Sequence, residues 1–350
     1  MYSYQITEWA KPLERRECDT PEPQGTEVLI RIDAAGICHS DLHIWDGYFD
    51  LGGGQRLTLD DRGVALPLTL GHEIVGEVVA LGSDAEGVAV GDKRVVYPWI
   101  GCRRCEICAS GEEHLCMTPR FLGARVDGGY SDYVIVAEPK YLFDYTGVPT
   151  NLACTYACAG LTAYSALNKV APLTERDHLV IIGAGGVGMS ALHLAAAVTP
   201  AQVIVADIDP TKRSAARQAG ATDTIDNGAD DAIKRALDIT GGGAAATIDF
   251  VGAPVTTGFG LEILRKGGIH VVVGLYGDAL PLSLPMLPFK VLTLRGSYVG
   301  SVAEMAALMD LVRSGKVPPI PIHPRPLPEA NQALDDLRQG RVLGRTVLNP

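Results

Sequence analysis

Four cysteines fall within one short stretch, Cys102-x-x-Cys105-x-x-Cys108 and then Cys116 after a spacer of seven residues. Thiolates so spaced can surround one Zn²⁺ tetrahedrally, three of them from a single tight turn. Iron–sulfur clusters use a similar opening, but with a shorter last spacer and a proline after the final cysteine. Zinc is therefore the favoured ion. Four thiolates leave no open coordination position, so this metal would hold a loop rather than perform chemistry.

Three further ligand types are scattered along the chain. Cys38 lies in Gly36-Ile37-Cys38-His39-Ser40-Asp41-Leu42-His43, His72 in Gly71-His72-Glu73, and Cys158 in Cys158-Ala159-Gly160-Leu161-Thr162-Ala163-Tyr164. Their spacing does not say whether they meet. A lone cysteine is ordinarily a small buried hydrophobe, which is the expectation for Cys18 and Cys154. A lone histidine is ordinarily a satisfied core residue.

Gly183-Ala184-Gly185-Gly186-Val187-Gly188 fits G-x-G-x-x-G, and Asp207 follows nineteen residues after Gly188. An apolar run precedes the glycines and a helical pattern follows them. In that setting the turn lets backbone approach a pyrophosphate at a helix N-terminus, and the acidic residue receives the adenosine ribose hydroxyls. Asp207 repels a 2′-phosphate, which favours NAD over NADP, although Lys212 and Arg213 lie close by. The competing role for Asp207 is to cap the helix that starts near Pro210.

The elements that must position these groups fall into two patterns. Residues 1–153 carry short alternating runs, such as 27–32 and 74–79, typical of a twisted, mainly β unit. Between 154 and 298, apolar runs at 179–182, 203–206, 246–250 and 270–273 alternate with helical segments such as 210–219. Uniformly apolar short runs suit a parallel sheet covered on both faces, so this part is a doubly wound α/β domain. The tail holds a helix at 301–314, a Pro-rich crossing and a last helix and strand. It is expected to return to the first unit, so that 299–350 complete it.

Bulk composition narrows the classes. The 350 residues are 47% apolar and 20% charged, as in a soluble globular chain of two domains. A net charge of -11 argues against a nucleic-acid surface. The apolar stretch 178–198 contains four glycines near one end and reads as strand, turn and buried helix, not a membrane span. Met1–Glu17 alternates polar and apolar residues and does not read as a signal peptide. Crowded cysteines without an export signal point to metal binding in a reducing cytoplasm.

Taken in order, the Cys38 segment, Gly71-His72-Glu73, the four-cysteine lobe, Cys158-Ala159-Gly160 and the glycine fingerprint make the chain resemble, over almost all its length, the medium-chain zinc alcohol dehydrogenases. That family joins a GroES-like catalytic domain to a Rossmann domain. The resemblance implies an NAD-dependent enzyme with two zinc ions per subunit, interconverting an alcohol and its aldehyde or ketone. It implies Cys38, His72 and Cys158 as ligands of the catalytic zinc, the ligand set the family is known for. Cys158, rather than Cys154 four residues earlier, fits because Ala-Gly-Leu-Thr-Ala-Tyr follows it.

Further roles follow from the same resemblance. Asp41 orients His72, Glu73 stands behind the metal, and Ser40 and His43 relay the alcohol proton to solvent. His39 and Arg345 contact the pyrophosphate, while Val251, Val273, Gly274 and Leu275 line the cofactor cleft at strand ends. The size of the chain resembles tetrameric bacterial members more than dimeric ones. Polyol dehydrogenases of the same family are the nearest alternative, though they often place a carboxylate where this chain has Cys158. A non-catalytic NAD-binding protein of this fold is the other.

One interval departs from the family pattern. His72 stands thirty-four positions after Cys38, and the extra segment is about 48–65. A long loop flanked by active-site residues is expected to overhang the substrate cleft, with a surface or subunit-contact loop as the equal alternative. Trp45, Tyr48 and Phe49, with Trp99, are then expected to line an apolar pocket.

Overall fold

The computed structural model describes residues 1–350. A six-stranded parallel sheet has the spatial order Asp223–Ile225, Gln202–Ala206, His178–Ile182, Ala244–Asp249, Leu264–Val272 and Thr293–Gly296. In sequence terms this is 3-2-1-4-5-6, the dinucleotide-binding order with its switch point between the first and fourth strands. His178–Ile182 and Ala244–Asp249 are almost wholly buried, which explains why they read as continuous apolar runs. The stretch 178–198 is the expected strand, turn and helix, the helix being Gly186–Val198. No helix is long and apolar enough to cross a membrane.

The second large sheet is built around the long pair Val28–Gly36 and Glu73–Leu81, antiparallel with Gly36 opposite Glu73. Lys93–Val96, Tyr133–Val136 and Leu142–Asp144 extend it. The chain end also joins it: Arg345–Asn349 pairs antiparallel with Val28–Gly36 and parallel with Ile322–Pro326. The core runs from this sheet through the buried face of the Ala159–Val170 helix into the parallel sheet.

Two expectations need correction. The 48–65 segment is not an irregular loop, because Tyr48–Gly52 and Gln55–Thr58 form an antiparallel hairpin. Gly53 and Gly54, at φ 60° and 78°, supply the two left-handed residues that a tight hairpin turn demands. Cys154 is fully buried as expected, but Cys18 is exposed, following the solvent-facing edge strand Glu14–Glu17.

Candidate active site

Strand register brings the scattered ligands together. Cys38 follows the Val28–Gly36 strand and precedes the His39–Asp46 helix, while His72 immediately precedes Glu73–Leu81. Pairing Gly36 with Glu73 therefore sets Cys38 beside His72. A Cβ at Gly36 would lie 2.1 Å from Glu73 Oε2, so the pairing requires glycine there. Cys158 arrives at the N-terminus of the Ala159–Val170 helix. The ligand atoms of Cys38, His72 and Cys158 lie within 4.8 Å of one another, all buried.

These residues fit a metal ion. His72 Nε2 is buried without a hydrogen-bond partner, while its Nδ1 faces Asp41 Oδ1 at 3.0 Å. Asp41 is itself fixed, Oδ2 accepting the Cys38 N–H at 2.8 Å and the Tyr130 hydroxyl at 2.9 Å. Burial alone would depress the His72 pKa, yet the charges of Asp41 and Cys38 drive it well above the ordinary value. Cys38 is held well below its usual range, chiefly by the Cys158 thiol 3.9 Å away. Two sulfurs and an imidazole nitrogen that has no protein hydrogen-bond partner thus converge in a dry pocket, the donor set of a zinc-type cation.

Glu73 lies behind this cluster. Its Oε1 accepts the Ala159 N–H at 3.1 Å and pairs with the Arg345 guanidinium. Burial pushes the Glu73 carboxyl up to about 7 against the opposing pull of Arg345. Arg345 also borders a small pocket with His39, Gly185, Gly186 and Lys212. One guanidinium therefore touches both the region behind the sulfurs and the glycine turn.

The glycine turn is shaped for close approach. Gly183 has φ 90°, and a Cβ on Gly188 would lie 1.8 Å from Gly183 O. A Cβ on Gly185 would meet nothing, so the backbone faces open space at the N-terminus of Gly186–Val198, as a phosphate-binding turn requires. Asp207 ends the adjacent strand, with Oδ2 accepting the Ala184 N–H at 2.7 Å and Oδ1 the Asp209 N–H at 2.9 Å. The helix at Pro210 is capped by Asp209, whose Oδ1 accepts the Thr211 N–H, and not by Asp207. Arg213 is engaged with Asp226 at 3.1 Å, leaving Lys212 beside the turn.

A cavity of about 730 Å³ connects the two halves, reaching Cys38, His72 and Cys158 on one side and Val187, Val273, Gly274 and Leu275 on the other. Ser40, His43 and Ile44 share one helix face and line it. Val251 lies beneath, its side chain against Gly183. Of the four aromatics expected in the pocket, Phe49 and Trp99 line it. Trp99 lies 5.3 Å from the His72 ring, and its indole N–H donates to Ala157 O at 3.1 Å.

Trp45 and Tyr48 do not line it. Trp45 packs on the far helix face with the Arg338 guanidinium 4.8 Å from its ring, and its indole donates to Lys11 O. Strand alternation turns Tyr48 away from Phe49, under Arg56 at 4.1 Å. Lining residues that the sequence did not reveal include Leu57, Leu59, Arg62, Phe121, Arg125 and Tyr298. Tyr298 stands just past the carboxyl end of a parallel strand, a position that could have identified it.

The second cluster unites Cys102, Cys105, Cys108 and Cys116, with sulfurs within 4.8 Å. A zinc–thiolate tetrahedron with bonds of about 2.3 Å has edges of about 3.8 Å. Neighbouring sulfurs here are 3.4 Å and 3.9 Å apart, so the lobe has the size of such a site.

The chain's relatives agree with this geometry. The family model for the alcohol dehydrogenase GroES-like domain matches residues 24–145, and that for zinc-binding dehydrogenases matches 186–314. An NAD-dependent alcohol dehydrogenase of Sulfurisphaera tokodaii is 39% identical over 352 residues, covering 100% of both chains. A D-arabinose 1-dehydrogenase (NADP⁺) of Saccharolobus solfataricus is 31% identical over 351 residues, covering 99% of this chain and 96% of its own. The crystal structure of the alcohol dehydrogenase from Aeropyrum pernix superposes with a TM-score of 0.90 at 31% identity, covering all of both chains.

Proposed function

We propose, from the fact that the chain belongs to the zinc-binding alcohol dehydrogenase family with a GroES-like domain, that it is an NAD-dependent alcohol dehydrogenase. The reaction interconverts an alcohol and its aldehyde or ketone by hydride transfer. The observation that carries the reading is the single cavity reaching both Cys38–His72–Cys158 and the strand ends at Val273–Leu275. Proximity of substrate and cofactor is the first requirement of hydride transfer.

Cys38, His72 and Cys158 would hold a zinc ion, which would supply Lewis acidity toward the alcohol oxygen. Asp41 fixes the ring and tautomer of His72. Ser40 and His43, both lining the cavity, carry the alcohol proton outward, and burial draws the His43 pKa below the ordinary value. Glu73 holds Arg345, which with His39 and Lys212 receives the pyrophosphate over Gly183, Gly185, Gly186 and Gly188. Asp207 receives the adenosine ribose. Val187, Val273, Gly274 and Leu275 wall the nicotinamide, with Val251 supporting them.

A second zinc in the Cys102, Cys105, Cys108 and Cys116 lobe is structural. The chain divides into a catalytic domain, 1–153 completed by 299–350, and a cofactor domain, 154–298. Its surroundings are the cytoplasm and its form is a homo-oligomer, a tetramer by family analogy. The exposed edge strand Thr293–Gly296, beside exposed Leu284, Phe289 and Val291, supports self-association.

The test is a screen of NADH absorbance with zinc-loaded protein against straight-chain, benzylic, cyclic and polyol substrates. Alcohol-dependent NAD reduction is expected. Oxidation of polyols alone would move the assignment to polyol dehydrogenases, and tight NAD binding without reduction by any alcohol would make the protein a sensor.

A further inference from the structure

Most of the cavity wall is apolar, formed by Leu57, Leu59, Trp99, Phe121 and Tyr298 among others, which is all that a simple alkanol needs. Two arginines interrupt it. Arg62 and Arg125 both line the cavity, and neither forms an ion pair with any carboxylate of the chain. The acids nearest in sequence are committed elsewhere. Asp60 accepts the Trp9 indole at 3.0 Å, Asp61 the Thr58 hydroxyl, and Asp127 the Thr69 N–H at 2.8 Å.

The two residues are also tied together through the backbone of Arg62, whose own side chain is exposed. Arg125 Nη1 donates to the backbone oxygen of Arg62. Burial, and then the like charge of Arg62, pull the Arg125 pKa below its ordinary value. A half-buried guanidinium within the field of a second, and paired with no carboxylate, is stabilised by an arriving anion. Asp50 and Asp278 line the cavity as well, but they accept the N–H groups of Gly52 and Ala279 in their own loops and pair with neither arginine.

The arginines stand at a definite remove from the ligand cluster. Trp99 lies 5.3 Å from His72, Phe121 meets Trp99 edge-on at 5.4 Å, and Tyr298 contacts both at 6.0 Å and 6.4 Å. Arg125 follows Phe121 by one short turn, its N–H bonded to Phe121 O. An aromatic layer separates the cations from His72 and Cys158.

We propose that the substrate is a hydroxycarboxylate, its hydroxyl directed to Cys38, His72 and Cys158 and its carboxylate received by Arg125 and Arg62 across an apolar chain. The proposal rests on the dehydrogenase reading above. The hydride leaves the carbinol carbon for the nicotinamide, the hydroxyl proton leaves to solvent, and an oxocarboxylate and NADH result, with the remote carboxylate unchanged.

The test compares kcat/KM of the zinc-loaded enzyme for a chain-length series of ω-hydroxycarboxylates with that for 1-alkanols of equal carbon count. The acid is expected to be preferred by about tenfold or more at one chain length, and Arg125→Leu or Arg62→Leu to reduce that ratio about 10- to 100-fold, mainly through KM. Arg125→Lys should restore part of it. A straight-chain carboxylate without the hydroxyl should raise the Tm of the parent protein more than that of either leucine variant. Equal use of acids and alkanols, or a ratio unmoved by both leucine variants, overturns this proposal alone. Oxidation of neither series, where a secondary, cyclic or benzylic alcohol still reduces NAD, also overturns this proposal alone; no NAD reduction by any alcohol overturns the dehydrogenase reading and this proposal with it.

Discussion

Asp41 Oδ1 lies 3.0 Å from His72 Nδ1, with both side chains out of solvent. The carboxylate fixes which imidazole nitrogen turns toward the two sulfurs. Asp41→Ala is expected to weaken catalytic zinc about 10- to 100-fold. Zinc analysis during chelator competition checks this, with the four-cysteine lobe as an internal standard. If both ions leave the variant no faster than the parent, Asp41 has no such role.

The two sulfur clusters should separate by mutation. Cys38→Ser should abolish turnover while leaving one zinc per subunit and a near-parental Tm. Cys105→Ser should lose the other ion and lower the Tm by about 5 °C or more, because metal binding energy there is folding energy. Turnover retained in Cys38→Ser would remove the catalytic metal from the mechanism.

Asp207 faces both the glycine turn and the expected ribose. Asp207→Ala should lower the ratio of kcat/KM for NAD over NADP about 10- to 100-fold, as a hydrogen bond to a charged group is lost. A parent enzyme that uses both cofactors equally well would contradict the assignment.

Acid should destabilise the parallel sheet through His270. The ring is fully buried, with Nδ1 2.6 Å from Thr247 Oγ1. Burial draws its pKa down to about 4, against the pull of Asp249. The folded value is depressed below an unfolded value of about 6.5. Below that pH the unfolded chain binds the extra proton, so stability is complete above about pH 6.5 and falls as pH drops toward 4. The loss is on the order of 3 kcal/mol. Tm measured from pH 7 to 4.5 should fall less steeply in His270→Gln than in the parent, and equal slopes would exclude His270 as the cause.

Much of this fold is written in local pattern. Strands such as His178–Ile182 announce themselves because both sheet faces are covered, and the glycine turn because backbone there must pass close to other backbone. The hairpin at 48–58 escaped because Asp50 and three glycines break its apolar alternation, although Gly53-Gly54 was a usable turn signal. Trp45 and Phe49 look alike as sequence, yet only Phe49 turns inward, since the face of a helix or strand is chosen by its neighbours. The meeting of Cys38, His72 and Cys158 depends on pairing between distant strands, which spacing cannot express. Arg62 and Arg125 carried no signal, because solvated arginines are common and a cavity wall is a long-range property.

The same hairpin spans the cleft. Gly52 lies so close to Asp278 and Ala279 that a Cβ would come within 2.6 Å of their backbone, and Asp50 abuts Gly277. A strip of the catalytic half thus rests on a loop of the nucleotide half like a hasp. Were cofactor exchange to need a swing of the two halves, this contact would have to part first.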